Sequence, residues 1–93
     1  MALKILSEPS RSAMDSDATL RALREAIEAA IPDARVEIRA GSPGHFEIHV
    51  VAQAFESRSR VQQQQLVYAA ITPLMRGEAA PVHAIDRLQT ELP

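Results

Sequence analysis

The three histidines of this chain are the residues whose chemistry best suits metal binding. His45 follows a turn sequence, His49 lies beside Glu47 in a run of alternating apolar and polar residues, and His83 lies in a short apolar segment near the C-terminus. A neutral imidazole is a common metal ligand, but two imidazoles supply only part of a metal or cluster site. We predict that His45 and His83 converge if the last strand pairs beside the first two. The alternative for each is a structural role, and His49 is predicted to be a surface residue.

A second candidate site is the segment from Ser57 to Gly77, which contains arginines but no Asp or Glu. Arginines beside a helix N-terminus face the unfavourable end of the helix dipole, so helix stability does not explain them. In the major groove of DNA, amide side chains bind adenine edges and arginines bind phosphates. The residues of this candidate nucleic-acid surface are Arg58, Arg60, Gln62, Gln65 and Arg76. The alternative is an ordinary solvated first turn of an amphipathic helix.

Composition limits the classes of function. The chain of 93 residues, 46% hydrophobic and 24% charged, suits one small globular domain. It has no cysteine, so it forms no disulfide and supplies no thiolate. A formal net charge of −2 leaves only a local patch to attract nucleic acid. Neither a membrane span nor a secretory signal is recognisable, so we expect a soluble cytoplasmic protein.

Hydrophobic periodicity predicts a helix followed by a β-hairpin. Apolar residues spaced by three and four form the stripe of the first helix, which ends at Pro32. These residues are Leu20, Leu23, Ile27 and Ile31. Alternating residues from Arg35 to Ala40, and again from His45 to Val50, predict two half-buried strands joined by a Gly-Ser-Pro-Gly turn. Residues 1–15 show no sustained period and are predicted to be a flexible tail, and Asp15, Ser16 and Asp17 are predicted to supply the caps of the first helix.

The second half of the chain predicts a long helix and a short strand. Ser59 is the predicted N-cap, and the helix is expected to bend at Pro73 and continue to Arg76. Its apolar stripe is Val67, Ala70, Ile71 and Leu74. Phe55 is expected to plug the core before this helix. Residues 82–85 are predicted to form the last strand, and Leu88 is the only later residue expected to pack.

The order helix, strand, strand, helix, strand predicts one α+β domain over residues 16–93, with a three-stranded mixed sheet and both helices on one face. Gly41-Ser42-Pro43-Gly44 matches the letters of the G-x-x-G phosphate clamp of KH domains. In KH domains that clamp joins two helices, whereas here the motif joins two strands. We therefore interpret it as a plain turn. No nucleophile or metal-hydrolase motif is present in the sequence, so we do not expect an enzyme.

Three segments of the sequence closely resemble the BolA family and are nearest its acid-stress branch. They are GHFEIHVVAQAF, SRVQQQQLVYAAI and PVHAI. The resemblance covers roughly Leu20 to Ile85. It implies a class II KH-like α-β-β-α-β fold that lacks the G-x-x-G nucleic-acid loop.

The resemblance also implies a non-enzymatic adaptor that binds a monothiol glutaredoxin, either in an apo-complex or with a shared [2Fe-2S] cluster. The family's histidine in the last strand matches His83, and the partner's cysteine and glutathione are expected to supply thiolates. A second ligand usually comes from the loop between the first two strands. In an ungapped alignment Ile38 falls at that position, so His45 is the substitute candidate. The loop after Gly77 is longer than is usual in the family.

The alternative function implied by the resemblance is a DNA-binding regulator of stress, morphology or biofilm genes. The main branch carries an arginine-histidine-arginine run that glutamines replace here, which weakens the expected contact with duplex DNA. A monomer or weak homodimer is expected in either case, with no membrane partner. The cluster and DNA alternatives both stay open at the level of sequence.

Overall fold

Two helices and three strands make up the part of the chain that the computed structural model describes, residues 17–77 and 79–93. In chain order these are α1 (residues 17–30), β1 (Arg35–Ala40), β2 (His45–Val51), a 3-10 turn (Gln53–Phe55), α2 (Arg60–Met75) and β3 (Ala84–Glu91). The predicted α+β class and element order are confirmed. The predicted tail over residues 1–15 and the caps at Asp15 and Ser16 lie outside the described residues. Neither described helix is long and apolar enough to cross a membrane.

The three strands form one mixed sheet in which β2 is central. β1 pairs with β2 in antiparallel register, with Ala40 opposite Phe46. β2 pairs with β3 in parallel register, with His45 opposite Ala84 and Val51 opposite Glu91. A parallel pair cannot be closed by a tight turn, so α2 provides the crossover that returns the chain to the start of β3. The first residues of β2 and β3 therefore lie at the same end of the sheet.

One hydrophobic core fills the space between the helices and the inner face of the sheet. Leu23 and Ile27 of α1 and Val67 and Ile71 of α2 are fully buried in it. The sheet contributes Val36, Phe46, Ile48 and Val50. Phe55 is also fully buried, as predicted for a core plug. Because these side chains form a single cluster, both helices pack on the same face of the sheet, as predicted.

Helix α2 begins and ends close to where the sequence predicts. The Ser59 hydroxyl accepts a hydrogen bond from the Gln62 N–H at 3.1 Å, and the Gln62 side chain accepts one from the Ser59 N–H at 3.0 Å. This reciprocal pair is a capping box. The helix continues through Pro73 to Met75, in agreement with the apolar positions beyond the proline. Gly77 then follows with φ +87°, a conformation that glycine adopts without a steric penalty.

The last strand was wrongly predicted in both position and length. The sequence predicts a strand from Val82 to Ile85, whereas β3 begins at Ala84 and runs for eight residues. Val82 is buried but precedes the strand. Leu88 does pack against the core, but Thr90 is more deeply buried, with 6% of its surface exposed.

A bulge in β3 explains this error. Phe46 lies opposite Ile85, but the next residue, Glu47, lies opposite Arg87, so Asp86 is an extra residue in the pairing. An extra residue of this kind interrupts the alternation of the strand. The core-facing residues on the two sides of the bulge are therefore three positions apart instead of two, and a search for a period of two stops there.

Candidate functional site

The turn between β1 and β2 has a defined geometry. The His45 N–H donates to the Ser42 carbonyl at 2.8 Å, which closes a four-residue β-turn. Pro43 occupies its second position and Gly44, with φ +80°, its third. Proline followed by a residue with positive φ is the pattern of a type II turn. The predicted turn is confirmed, and Gly44 is the residue that its backbone requires to be glycine.

This turn supports His83. The Gly44 carbonyl accepts hydrogen bonds from the N–H groups of His83 at 2.8 Å and Ala84 at 3.1 Å. A Cβ placed on Gly44 would lie 2.7 Å from both Cγ and Nδ1 of His83, so the imidazole lies directly against the glycine backbone. On the other side, the N–H of buried Val82 donates to the Leu74 carbonyl at 3.2 Å. His83 is thus fixed through its backbone, while the residue itself is exposed.

His45 lies beside this position. Its Cα is the partner of Ala84, the residue after His83, so the structure brings the two predicted histidines to the same end of the sheet. The His45 Nδ1 lies 2.9 Å from Oδ1 of Asp86, the bulge residue of β3. The side chains of His45 and Asp86 are 39% and 49% exposed. We call Gly44, His45, His83 and Asp86 the histidine end.

The residue aligned with the family's second cluster ligand, Ile38, does not lie at the histidine end. Ile38 is inside β1, opposite Ile48, and not in the loop between the first two strands. The loop itself, residues 41–44, contains no imidazole or thiol. His45, the first residue after that loop, is therefore the nearest imidazole to His83 in the strand pairing.

The histidine end can supply some, but not all, of the ligands of a [2Fe-2S] cluster. Such a cluster takes four protein or small-molecule ligands, and histidine can replace cysteine on one iron. The chain contains no cysteine. No group of three or more His, Cys, Asp or Glu suited to hold a metal ion occurs among residues 17–77 and 79–93. His83 and His45 could therefore hold a cluster only together with thiolates from another molecule.

His49 has no free ring nitrogen for such a role. Its Nδ1 lies 3.4 Å from Oε1 of Glu37 in β1, and its Nε2 contacts Oε2 of Glu91 in β3. The ring therefore bridges all three strands on the outward face of the sheet, with its side chain 31% exposed. The two carboxylates contact opposite nitrogens, so they do not converge with His49 on one ion. His49 was predicted to be a surface residue, and the structure places it on the outward face of the sheet but half-buried.

Most of the glutamine run at the start of α2 is used inside the molecule. Gln62 forms the capping box, and Gln64 donates to the Leu88 carbonyl at 3.5 Å. Gln63 donates to the carbonyls of Phe55 at 3.3 Å and Arg58 at 3.1 Å, and its oxygen accepts from Thr90 at 2.8 Å. The exception is Gln65, which is exposed and whose side chain has no hydrogen-bond partner among the described residues.

The predicted cationic residues do not form one surface. Arg58 and Arg60 are exposed at the start of α2, where Arg58 donates to the Ala54 carbonyl at 3.3 Å. We call Arg58, Arg60 and Gln62–Gln65 the arginine end. Arg76 follows the other end of this helix of 16 residues, about 24 Å away at 1.5 Å per residue. Arg76 instead belongs to the side of the molecule on which Leu74 meets Val82, next to His83.

Two residues of the histidine end were missed at the level of sequence. The sequence indicates Gly44 only as part of a turn and gives no pattern that selects Asp86. A signal for Gly44 did exist, because proline followed by glycine predicts positive φ at the glycine. Its contact with His83 gives no local signal, because the two residues meet only after β3 has paired with β2.

Comparison with known proteins agrees with this fold. A family model described as BolA-like protein matches residues 19–91. An uncharacterized protein from the rpoN-murA intergenic region of Acinetobacter guillouiae is 39% identical over 64 residues, which are 68% of this chain and 72% of that protein. BolA-like protein 1 of Mus musculus is 34% identical, and the match covers 69% of this chain and 51% of the mouse protein.

A solved structure shows the same architecture. The structure of a BolA protein homologue from Coxiella burnetii matches with a TM-score of 0.62 and 29% sequence identity, over 76% of this chain and 86% of that chain. These similarities do not separate the branches of the family, so assignment to the acid-stress branch stays a prediction. The family model, however, matches most of the chain. The chain belongs to the family of BolA-like proteins.

Proposed function

We propose that this chain is a non-enzymatic adaptor that binds a monothiol glutaredoxin and takes part with it in [2Fe-2S] cluster sharing, trafficking or iron and redox sensing. The observation that carries the proposal is the placement of His83. Its backbone is fixed by the Gly44 carbonyl, its ring lies against the Gly44 backbone, and the residue is exposed. A fixed backbone with an accessible imidazole suits a ligand for an iron that another molecule presents.

The partner is required by the chemistry of the donor set. A [2Fe-2S] cluster stores and transfers one electron, and its usual ligands are cysteine thiolates. This chain has no cysteine, so the thiolates must come from the glutaredoxin and from glutathione. A cytoplasmic location suits this function, because thiols are kept reduced there.

His45 is the proposed second imidazole. It lies opposite Ala84, and its Nδ1 is hydrogen-bonded to Asp86. Nε2 is therefore the nitrogen that can bind an iron. If His45 does not reach the cluster, His83 is the only ligand from this chain. We then expect the complex with glutaredoxin to bind its cluster weakly or to favour the apo form. Such a complex would act as a sensor and not as a carrier of the cluster.

The experiment mixes this protein with a cluster-loaded monothiol glutaredoxin and glutathione and follows visible absorption and circular dichroism. We expect a complex whose spectrum differs from that of the glutaredoxin alone, and we expect His83→Ala to abolish this difference. His49→Ala is the matched control, because His49 lies four residues along β2 from His45 and has both ring nitrogens engaged. If no complex forms, or if His83→Ala behaves like His49→Ala, the proposal is wrong.

The alternative function, binding of duplex DNA by a transcriptional regulator, has narrower support. Arg58, Arg60 and Gln65 are exposed, and Gln65 is free to contact a base edge. Gln62 is engaged in the capping box, and Arg76 lies at the far end of α2. Two arginines neutralise few phosphates, so affinity would be low and would fade as salt rises. The cluster adaptor is therefore the function that we favour.

A further inference from the structure

The bulge in β3 gives Asp86 a position that a regular strand would not. Phe46 pairs with Ile85 and Glu47 with Arg87, so Asp86 has no pairing partner of its own in β2. Its carboxylate instead reaches the ring of His45, with Oδ1 2.9 Å from Nδ1. The bulge therefore places a carboxylate next to one of the two histidines proposed as ligands.

This contact determines which ring nitrogen of His45 is free. A carboxylate only accepts hydrogen bonds, and a neutral imidazole has one N–H donor and one nitrogen with a lone pair. Nδ1 must therefore carry the proton in the neutral ring, and the lone pair is on Nε2. Metal-binding histidines are commonly held in this way, with one nitrogen donating to a carboxylate while the other binds the metal.

His49 provides the contrast within the same strand. Both of its ring nitrogens contact carboxylates, those of Glu37 and Glu91. His45 contacts one carboxylate, that of Asp86, and has no other hydrogen-bond partner for its side chain within the described ranges. One histidine of β2 is thus fully engaged by the sheet, and the other is oriented but keeps one nitrogen available.

We propose that Asp86 is a positioning residue that fixes His45 as the Nδ1–H tautomer and so presents Nε2 as a ligand atom for an iron of a partner-held cluster. The tautomer is a property of the free protein. The ligand role rests on the proposed function, because it needs the glutaredoxin and its cluster. A second consequence is that Asp86 acts only through His45, so its removal has no effect when His45 is absent.

The first test is nuclear magnetic resonance of the isolated protein with 13C- and 15N-labelled histidine, at about pH 8.5, where an ordinary imidazole is neutral. We expect His45 to be the Nδ1–H tautomer, and Asp86→Ala to shift it toward the Nε2–H tautomer. Asp86→Asn should retain the Nδ1–H form only in part, because its amide can accept from Nδ1–H through the oxygen or donate to Nδ1 through the NH2 group. Glu47→Ala is the matched control, since it removes a neighbouring outward carboxylate that has no ion-pair partner among the described residues. An unchanged His45 signal in Asp86→Ala overturns the inference.

The second test measures binding of the cluster-loaded glutaredoxin by the same variants. Loss of a carboxylate behind a metal-binding histidine typically weakens binding by roughly 10-fold or more, so we expect Asp86→Ala to approach His45→Ala and Asp86→Asn to stay nearer the unaltered protein. Asp86→Ala added to His45→Ala should change nothing further. If His45→Ala weakens the complex and Asp86→Ala does not, the positioning role is wrong. If even the unaltered protein forms no complex, the proposed function fails, and the tautomer measurement still decides the role of Asp86.

Discussion

The two ends of the sheet use polar side chains in opposite ways. At the histidine end, backbone hydrogen bonds fix the chain, and the imidazoles of His45 and His83 stay accessible. At the arginine end, the side chains of Gln62, Gln63 and Gln64 are themselves the groups that fix the chain. A polar side chain that supports the fold is not free to recognise a ligand. The comparison therefore favours the histidine end as the functional surface.

The difference has a local cause in each case. A type II turn with Gly44 at its third position directs one carbonyl toward the N–H groups of His83, just before the last strand, and of Ala84, its first residue, so no side chain is needed there. Helix α2 instead begins with free N–H groups that no preceding turn can satisfy. Ser59 and Gln62 satisfy two N–H groups between them, and Gln63 ties the helix to the carbonyls before it.

The largest effect is expected from Gly44→Ala. The new Cβ would lie 2.7 Å from the His83 ring, and φ is +80°, so both the ring and the backbone must adjust. We expect a loss of about 1–3 kcal/mol in the free energy of unfolding, together with changed ring signals of His83. Chemical denaturation and nuclear magnetic resonance measure the two effects.

Gly41→Ala is the matched control for that substitution. A Cβ on Gly41 meets only the His45 carbonyl at 3.6 Å and the His45 Cβ at 3.9 Å, which are ordinary contacts. It should cost much less and leave His83 unchanged. Equal effects of the two alanines would mean that the loop is merely sensitive to substitution and that Gly44 does not support His83.

An intermediate effect is expected from Ser59→Ala at the arginine end. The substitution removes the acceptor for the Gln62 N–H and so one half of the capping box. It should lower the free energy of unfolding by about 1 kcal/mol. Binding of cluster-loaded glutaredoxin should stay unchanged, because the histidine end lies at the other end of α2. Val61→Ala, which removes an exposed side chain beside the cap and none of the hydrogen bonds of the capping box, is a suitable control. A clear loss of glutaredoxin binding in folded Ser59→Ala protein would contradict the separation of the two ends.

The smallest effect on stability is expected when Arg58 and Arg60 are both changed to Ala. Both are exposed, so the change in unfolding free energy should stay within about 0.5 kcal/mol. In a titration with duplex DNA at low salt, we expect weak binding at most. Arg21→Ala with Arg35→Ala, which removes the same charge from other exposed sites, is the control. A large, salt-dependent loss of DNA affinity specific to Arg58 and Arg60 would strengthen the regulator alternative at the expense of the adaptor.

The sequence predicted the elements whose signals are local. The hairpin strands and the bounds of α2 follow from periods of two and of about 3.6 residues, and from the Ser59 cap. Helix α2 passes through Pro73 as the apolar positions beyond it indicate. The pairing of the last strand beside the hairpin was also predicted, and it places His45 and His83 at the same end of the sheet.

What the sequence could not show depends on contacts between distant segments. The bulge at Asp86 removes the period of two from β3, and the contact of Asp86 with His45 exists only after the parallel pairing forms. The composition of the glutamine run predicts solvent exposure. In the structure, however, the Gln63 side chain donates to the Phe55 carbonyl and accepts a hydrogen bond from the Thr90 hydroxyl. The candidate site was therefore predicted as two histidines, without the residues that hold them.

The most direct test of the central claim maps the partner surface on the 15N-labelled protein by titration with a monothiol glutaredoxin and glutathione. We predict that the amide signals of Gly44, His83 and Ala84 change most, whereas those of Arg60 and Val61 at the start of α2 stay unchanged. Largest changes at the start of α2, with His83 unaffected, would contradict the assignment of the histidine end as the functional surface.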